Sequence, residues 1–220
     1  FTDTATVNVT TSLTCSVALT SSQYGYNQVS ITGLLGVGAT TTVTVVRNNP
    51  DGSTPICRNA NAVSVTGDTY SFPDYECPIN ASVTYTVTAV AGSSSASKTS
   101  ASATIAAPGY GLVWLKSLAQ PGLSVSVLLN SMSDIGRLAR QQINTVVGSA
   151  YPIVMSDVQA ARSGTMTFTT QTLSDGTAML SLIKLGQPVF FQGNSNATSG
   201  DGFEDMYFMS GVLTEHRPGG

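Results

Sequence analysis

The chain has 220 residues, of which 41% are apolar and 10% charged, with nine Lys+Arg, twelve Asp+Glu and a net charge of −3. A soluble domain ordinarily carries charge at about a quarter of its positions; here 29 Thr and 28 Ser stand in for much of it. Nine scattered cations exclude the dense basic footprint of a nucleic-acid binder. The apolar content is too high for a disordered chain, and no apolar run approaches the roughly 18 residues that cross a bilayer as a helix.

The first half alternates Thr with Val. Ala5–Thr10 and Thr42–Val45 have the period of two of half-buried strands. Val83, Tyr85, Val87 and Ala89 fall on one face of a further strand and Thr84, Thr86 and Thr88 on the other. Turn chemistry separates the runs at Asn48–Gly52, Thr66–Asp68 and Cys77–Asn80. Short strands with no helical pattern predict an antiparallel β-sandwich over residues 1–107. The Gly/Ser/Ala-rich segment Ala91–Ser102 fits a flexible linker or a last, edge-like strand ending at Ile105; the strand is preferred, with the linker at Ala106–Tyr110.

Residues 111–220 read as α+β. Strands are expected at Leu112–Lys116, Leu123–Leu129, Pro152–Ser156, Thr165–Thr170, Val189–Gln192 and Met206–Leu213, and a short helix at Ser133–Gln142. The main helix is expected at Asp175–Leu185, with Ser174 as N-cap, Gly186 at the C′ position and Pro188 just beyond.

The residues offer little chemistry. His216 is the one histidine, and no Gly-x-Ser-x-Gly elbow accompanies it. Asp74 and Glu76 could pair as glycosidase carboxylates, but they lie in a proline-flanked turn. Gly200–Asp205 lacks the ligand spacing of an EF-hand calcium loop. No catalytic, metal or cofactor residue is assigned. Among Cys15, Cys57 and Cys77, a Cys57–Cys77 bridge would contribute about 3 kcal/mol, and buried free thiols are the equal alternative.

The segment Val43–Val90 carries Arg47 at a strand end, an Asp51-Gly52 turn, Pro55-Ile56-Cys57-Arg58, Asp74-Tyr75-Glu76-Cys77-Pro78 and Tyr85-Thr86, in that order. It resembles the N-terminal β-sandwich of minor tail proteins, of the distal-tail or tail-tip type, from long-tailed phages of actinobacteria. Cys57 and Cys77 depart from the small apolar residues of that pattern. More loosely, Val113-Trp114-Leu115, Pro152–Asp157, Arg162–Phe168, Leu180–Gly186 and Met206-Tyr207 resemble the β-barrel-plus-helix module of tail-tube and distal-tail proteins.

The resemblance implies an immunoglobulin/fibronectin-III-like sandwich followed by a tail-tube-like domain. It also implies a non-enzymatic virion protein of the phage tail tip, without cofactor, assembled in the host cytoplasm. The expected assembly is a homo-oligomeric ring, hexameric rather than trimeric, that joins the tube to the distal tip or baseplate and surrounds the DNA path. Its partners would be the tail tube, the tape-measure protein, other tip proteins and the host surface. Trp114, Phe190, Phe191, Phe203 and Tyr207, with Arg137, Arg140 and Arg162 as pairing partners, are the candidate oligomer interface; core packing is the plainer reading for at least half of the aromatics. The alternative function is a carbohydrate-binding adhesin that uses the loops around Asn48–Thr54 and Gly193–Gly202.

Overall fold

The computed structural model describes residues 14–19, 25–109, 111–117, 119–133, 136–137, 141–144, 153–156, 162–193 and 205–215. The strand expected at Ala5–Thr10 lies outside them. The fold is mainly β. Among the described residues there is one α-helix, and no helix is long and apolar enough to cross a membrane.

Two sheets face each other in the first half. Strands β1 (Thr14–Leu19), β2 (Asn27–Thr32) and β5 (Thr69–Asp74) form an antiparallel sheet in the order β1-β2-β5. The second sheet has the order β4-β3-β6-β7, from β3 (Thr40–Asn48), β4 (Val63–Thr66), β6 (Ser82–Ala91) and β7 (Ser94–Thr99). Alternation decides which face is buried. Val43 and Val45 of β3 and Val83, Val87 and Ala89 of β6 point inward onto Val29, Ile31 and Phe72 of the first sheet.

The Ser-rich segment is an edge strand, as preferred. After β7, Ser100 bridges to Tyr85 through both its amide and its hydroxyl, and the short β8 (Ala103–Thr104) pairs with the start of β6. Ile105 closes the sandwich by bridging Ile79.

A second, separate core lies beyond the linker. Strands β9 (Leu112–Ser117), β10 (Val125–Met132), β15 (Met166–Thr169), β16 (Val189–Gln192) and β17 (Met206–Phe208) form an antiparallel sheet in the order β15-β10-β9-β16-β17. Helix α1 (Leu173–Lys184) covers one face, burying Leu182 against Val113, Leu115, Val127 and Phe191. The N-cap is Thr172, two residues before the expected Ser174. Its hydroxyl accepts from the Asp175 amide and donates to the Asp175 carboxylate, a reciprocal arrangement that Ser174 is one turn position too late to make. Gly186 ends the helix at C′ with φ 63°, as expected.

The helix expected at Ser133–Gln142 does not occur among the described residues of that stretch, 133, 136–137 and 141–142. Strands β11 (Gly136–Arg137) and β12 (Gln141–Asn144) stand there, paired with β14 (Arg162–Ser163) and β13 (Ile153–Ser156). Gly136 costs a helix interior about 1 kcal/mol, and cross-strand partners such as Ile143 opposite Val154 favour extended chain. The last strand also stops at Phe208 rather than Leu213.

Leu182 is 1% exposed at the centre of the second core. Leu182→Ala should destabilise the second module by about 2–5 kcal/mol, read as a lower urea midpoint with an unchanged slope.

Candidate functional site

The register of the two sandwich sheets collects polar groups in one layer of an otherwise apolar core. Asn27 lies opposite Asp74 in one sheet, and Arg47 opposite Tyr85 in the other. All four are buried. Nη1 of Arg47 donates to both Asp74 oxygens at 3.0 and 2.8 Å, and the Tyr85 hydroxyl donates to Asp74 Oδ2 at 2.8 Å. Asn27 Nδ2 reaches the Tyr85 hydroxyl at 2.9 Å and Cys77 Sγ at 3.1 Å. Burial alone would lower the basicity of the Arg47 guanidinium, but the Asp74 carboxylate outweighs it and holds the cation firmly charged. Burial also pushes the Cys77 thiol up to about 11, with Asp74 adding to it, and raises Cys57 further. Both cysteines are buried free thiols, so neither is poised as a nucleophile.

This layer backs onto the second module through the turn that follows β5. Strand β9 is buried on both faces. Val113 and Leu115 face the helix, and Trp114 and Lys116 face the sandwich. Strand β16 repeats the pattern, with Val189 and Phe191 toward the helix and Phe190 and Gln192 toward the sandwich.

Lys116 has no exposed surface. Its ammonium donates to the Gly25 carbonyl, to the Tyr75 carbonyl at 3.0 Å and to Gln192 Oε1, matching three hydrogens to three acceptors. Gln192 Nε2 in turn donates to the Cys77 carbonyl at 3.0 Å and to Asp205 Oδ2 at 3.0 Å. Burial drives Lys116 down to about 8 against the pull of Cys77, Asp205 and Asp74. Burial likewise lifts the Asp205 carboxyl above its ordinary range, despite the Gln192 hydrogen bond and the nearby Lys116.

At the rim, Arg58 pairs with Glu76 at 2.7 Å and lies 5.5 Å from the Tyr207 ring centre. The Tyr207 hydroxyl also donates to Glu76, and its ring lies 4.8 Å from Phe190. Burial would raise the Glu76 carboxyl, but the hydrogen bonds from Tyr207 and Arg58 prevail and hold it low.

The candidate interface residues therefore divide. Trp114, Phe190 and Phe191 are at most 5% exposed and packed within the chain, which removes them from any outer surface. The period of two is the reason: in a strand buried on both faces, every large side chain is already covered. Tyr207 is 43% exposed at the junction rim. Arg137 and Arg162 sit opposite each other in a two-stranded pair, with their side chains outside the description. Arg140, Phe203 and His216 lie outside the described residues. Asp74 and Glu76, weighed as a carboxylate pair, are each committed to a cation and a tyrosine. No group of three or more metal-ligating side chains occurs among the described residues.

Sequence reasoning read Lys116 as the end of a strand and Gln192 as the end of another, without a role for either. An amine at an inward position of an apolar strand was the available signal. Comparison of the chain with family models, curated proteins and solved structures gives no match.

Two outcomes test the junction. Gly25 has φ +64°, and a β-carbon there would lie 2.8 Å from the Trp114 ring. Gly25→Ala should destabilise the chain by about 1–3 kcal/mol and shift the emission of Trp114, the only tryptophan, toward longer wavelength. Glu76, whose folded carboxyl is held below its ordinary 4.5, contributes stability present above that value and lost as pH falls through the lowered one. The thermal midpoint of Glu76→Gln should accordingly fall less than that of the wild type on acidification below pH 4.5.

Proposed function

We propose that the chain is a non-enzymatic structural subunit of a phage tail tip, located in the virion, that closes into a homo-oligomeric ring between the tail tube and the distal tip. In this reading the first half is an immunoglobulin/fibronectin-III-like sandwich and the second a tail-tube-like module. The three-plus-four strand order of the sandwich supports the former. The sheet carrying one helix on a single face supports the latter.

The observation that carries the proposal is the junction. Two independent cores are locked by a buried, fully hydrogen-bonded lysine rather than joined by a free tether. A subunit that transmits force or position between neighbours needs that rigidity, since tethered domains reorient by default.

The outer face of the four-stranded sheet adds to it. Thr40, Thr42 and Thr44 of β3, Thr84, Thr86 and Thr88 of β6 and Ser95 and Ser97 of β7 occupy its outward positions. Such a face can be covered by a neighbour without desolvating charge. Head-to-tail contacts between identical subunits close into rings.

Electron microscopy and native mass spectrometry of the purified chain test the proposal. A closed ring, six-fold in preference to three-fold, is the expected result. A persistent 22.7 kDa monomer, or tight saturable binding of a sugar by that monomer, would instead favour the adhesin alternative.

A further inference from the structure

Lys116, Gln192 and Asp205 form a buried constellation whose members are an amine, a primary carboxamide and a carboxyl group. Lys116 and Gln192 are diagonal neighbours on one face of adjacent antiparallel strands, because Phe190 lies opposite Lys116 and Trp114 opposite Gln192. Lys116 Nζ lies 2.5 Å from Gln192 Oε1, and Asp205 Oδ2 accepts from Gln192 Nε2 at 3.0 Å. Trp114 and Phe190 flank the group, Phe190 with its ring centre 5.8 Å from Nζ, and Gln192 and Lys116 are at most 1% exposed.

We propose that this is a self-modification site, at which Lys116 and Gln192 condense into an intramolecular isopeptide bond with Asp205 as the catalytic acid–base. The lone pair of the neutral Lys116 amine attacks Gln192 Cδ, and the Nζ–Cδ bond forms. As the carbon becomes tetrahedral, the leaving nitrogen gains a lone pair, which takes a proton from the Asp205 carboxyl. The Cδ–Nε2 bond then breaks, releasing ammonia, and the carboxylate recovers the proton shed by Nζ. Amine and primary amide become secondary amide and ammonia; no electrons are exchanged, and no co-reactant is needed.

Each requirement of the step is met by the surroundings. Attack needs an uncharged amine, and burial moves Lys116 down to about 8, which leaves a reactive fraction near neutral pH. Proton delivery needs a carboxylic acid, and burial moves Asp205 upward. Water, the competing nucleophile, is excluded by the two modules closing over the group. The reacting atoms are held by strand pairing, which supplies proximity without a separate binding step. The product nitrogen keeps one N–H, for which the Gly25 and Tyr75 carbonyls are the adjacent acceptors.

Intact mass spectrometry of the recombinant full chain under denaturing conditions tests the bond. The expected mass is one ammonia below the sequence mass, with a branched proteolytic peptide joining the Lys116 and Gln192 segments. Lys116→Arg and Asp205→Asn should both restore the full mass, with circular dichroism reporting whether each variant folds. The wild-type measurement decides independently of the variants. A wild-type chain of full sequence mass after prolonged incubation at pH 8 overturns the proposal, as does an ammonia loss that maps to any other residue. A branched peptide that persists undiminished in folded Asp205→Asn overturns the role of Asp205.

Discussion

A lysine amine without exposed surface constrains the rest of this molecule. Burying an unpaired ammonium costs several kcal/mol, so Lys116 is tolerated only where acceptors surround it. Two of its acceptors are carbonyls of the sandwich, and the third is a side chain of the neighbouring strand. The two modules must therefore meet in one arrangement. A slip of one residue in β9 would carry Lys116 to the helix side, into Leu182 and Phe191, and bring Leu115 to the carbonyls. The glycine at position 25 follows from the same constraint: its carbonyl reaches Lys116 only if its backbone lies directly on the Trp114 ring.

The Arg47–Asp74 layer answers to similar physics inside the sandwich. One carboxylate accepts from Arg47, from Tyr85 and from the Glu76 amide, so its charge is compensated within the layer. The Glu76 amide belongs to the turn that also presents the Tyr75 and Cys77 carbonyls to the second module. The sandwich core, the turn and the junction thus form one continuous polar path. A change at Asp74 acts on the position of the Tyr75 carbonyl as well as on the core.

Much of this fold was legible in the sequence because its signals are local. Alternating Thr and Val mark β3 and β6, and the capped apolar face with Gly186 marks α1 within two residues of its start. The helix misread at Ser133–Gln142 was decided by partners at residues 153–163 that no local window contains. The junction was illegible for the same reason on a larger scale: Lys116 is separated from its acceptors by 91, 41 and 76 residues. For Trp114, Phe190 and Phe191 the plainer of the two readings, core packing, is the one the structure shows, and the sequence left both open because an aromatic in a short strand carries no mark of a second covered face. Arg47, Asp74 and Tyr85, spread over 39 positions of the chain, meet in one layer through strand pairing that no local signal announces.

The scarcity of charge takes on a different meaning once the charges are located. Arg47, Asp74, Lys116 and Asp205 are engaged in the interior or at the junction, and Arg58 and Glu76 neutralise each other at its rim. The outward positions of β3, β6 and β7 carry threonine and serine instead. Threonine keeps such a face wet through its hydroxyl while its branched β-carbon fits the pleat. Cross-strand contacts such as Asn48 with Thr84 and Thr86, and Thr86 with Thr99, satisfy part of that polarity within the sheet. A surface whose hydrogen bonds are partly made in advance loses little when a neighbour displaces its water. The chain thus places these ionic interactions where they fix its own shape and leaves the outer face of the four-stranded sheet uncharged, which suits contacts made by fit rather than by long-range attraction.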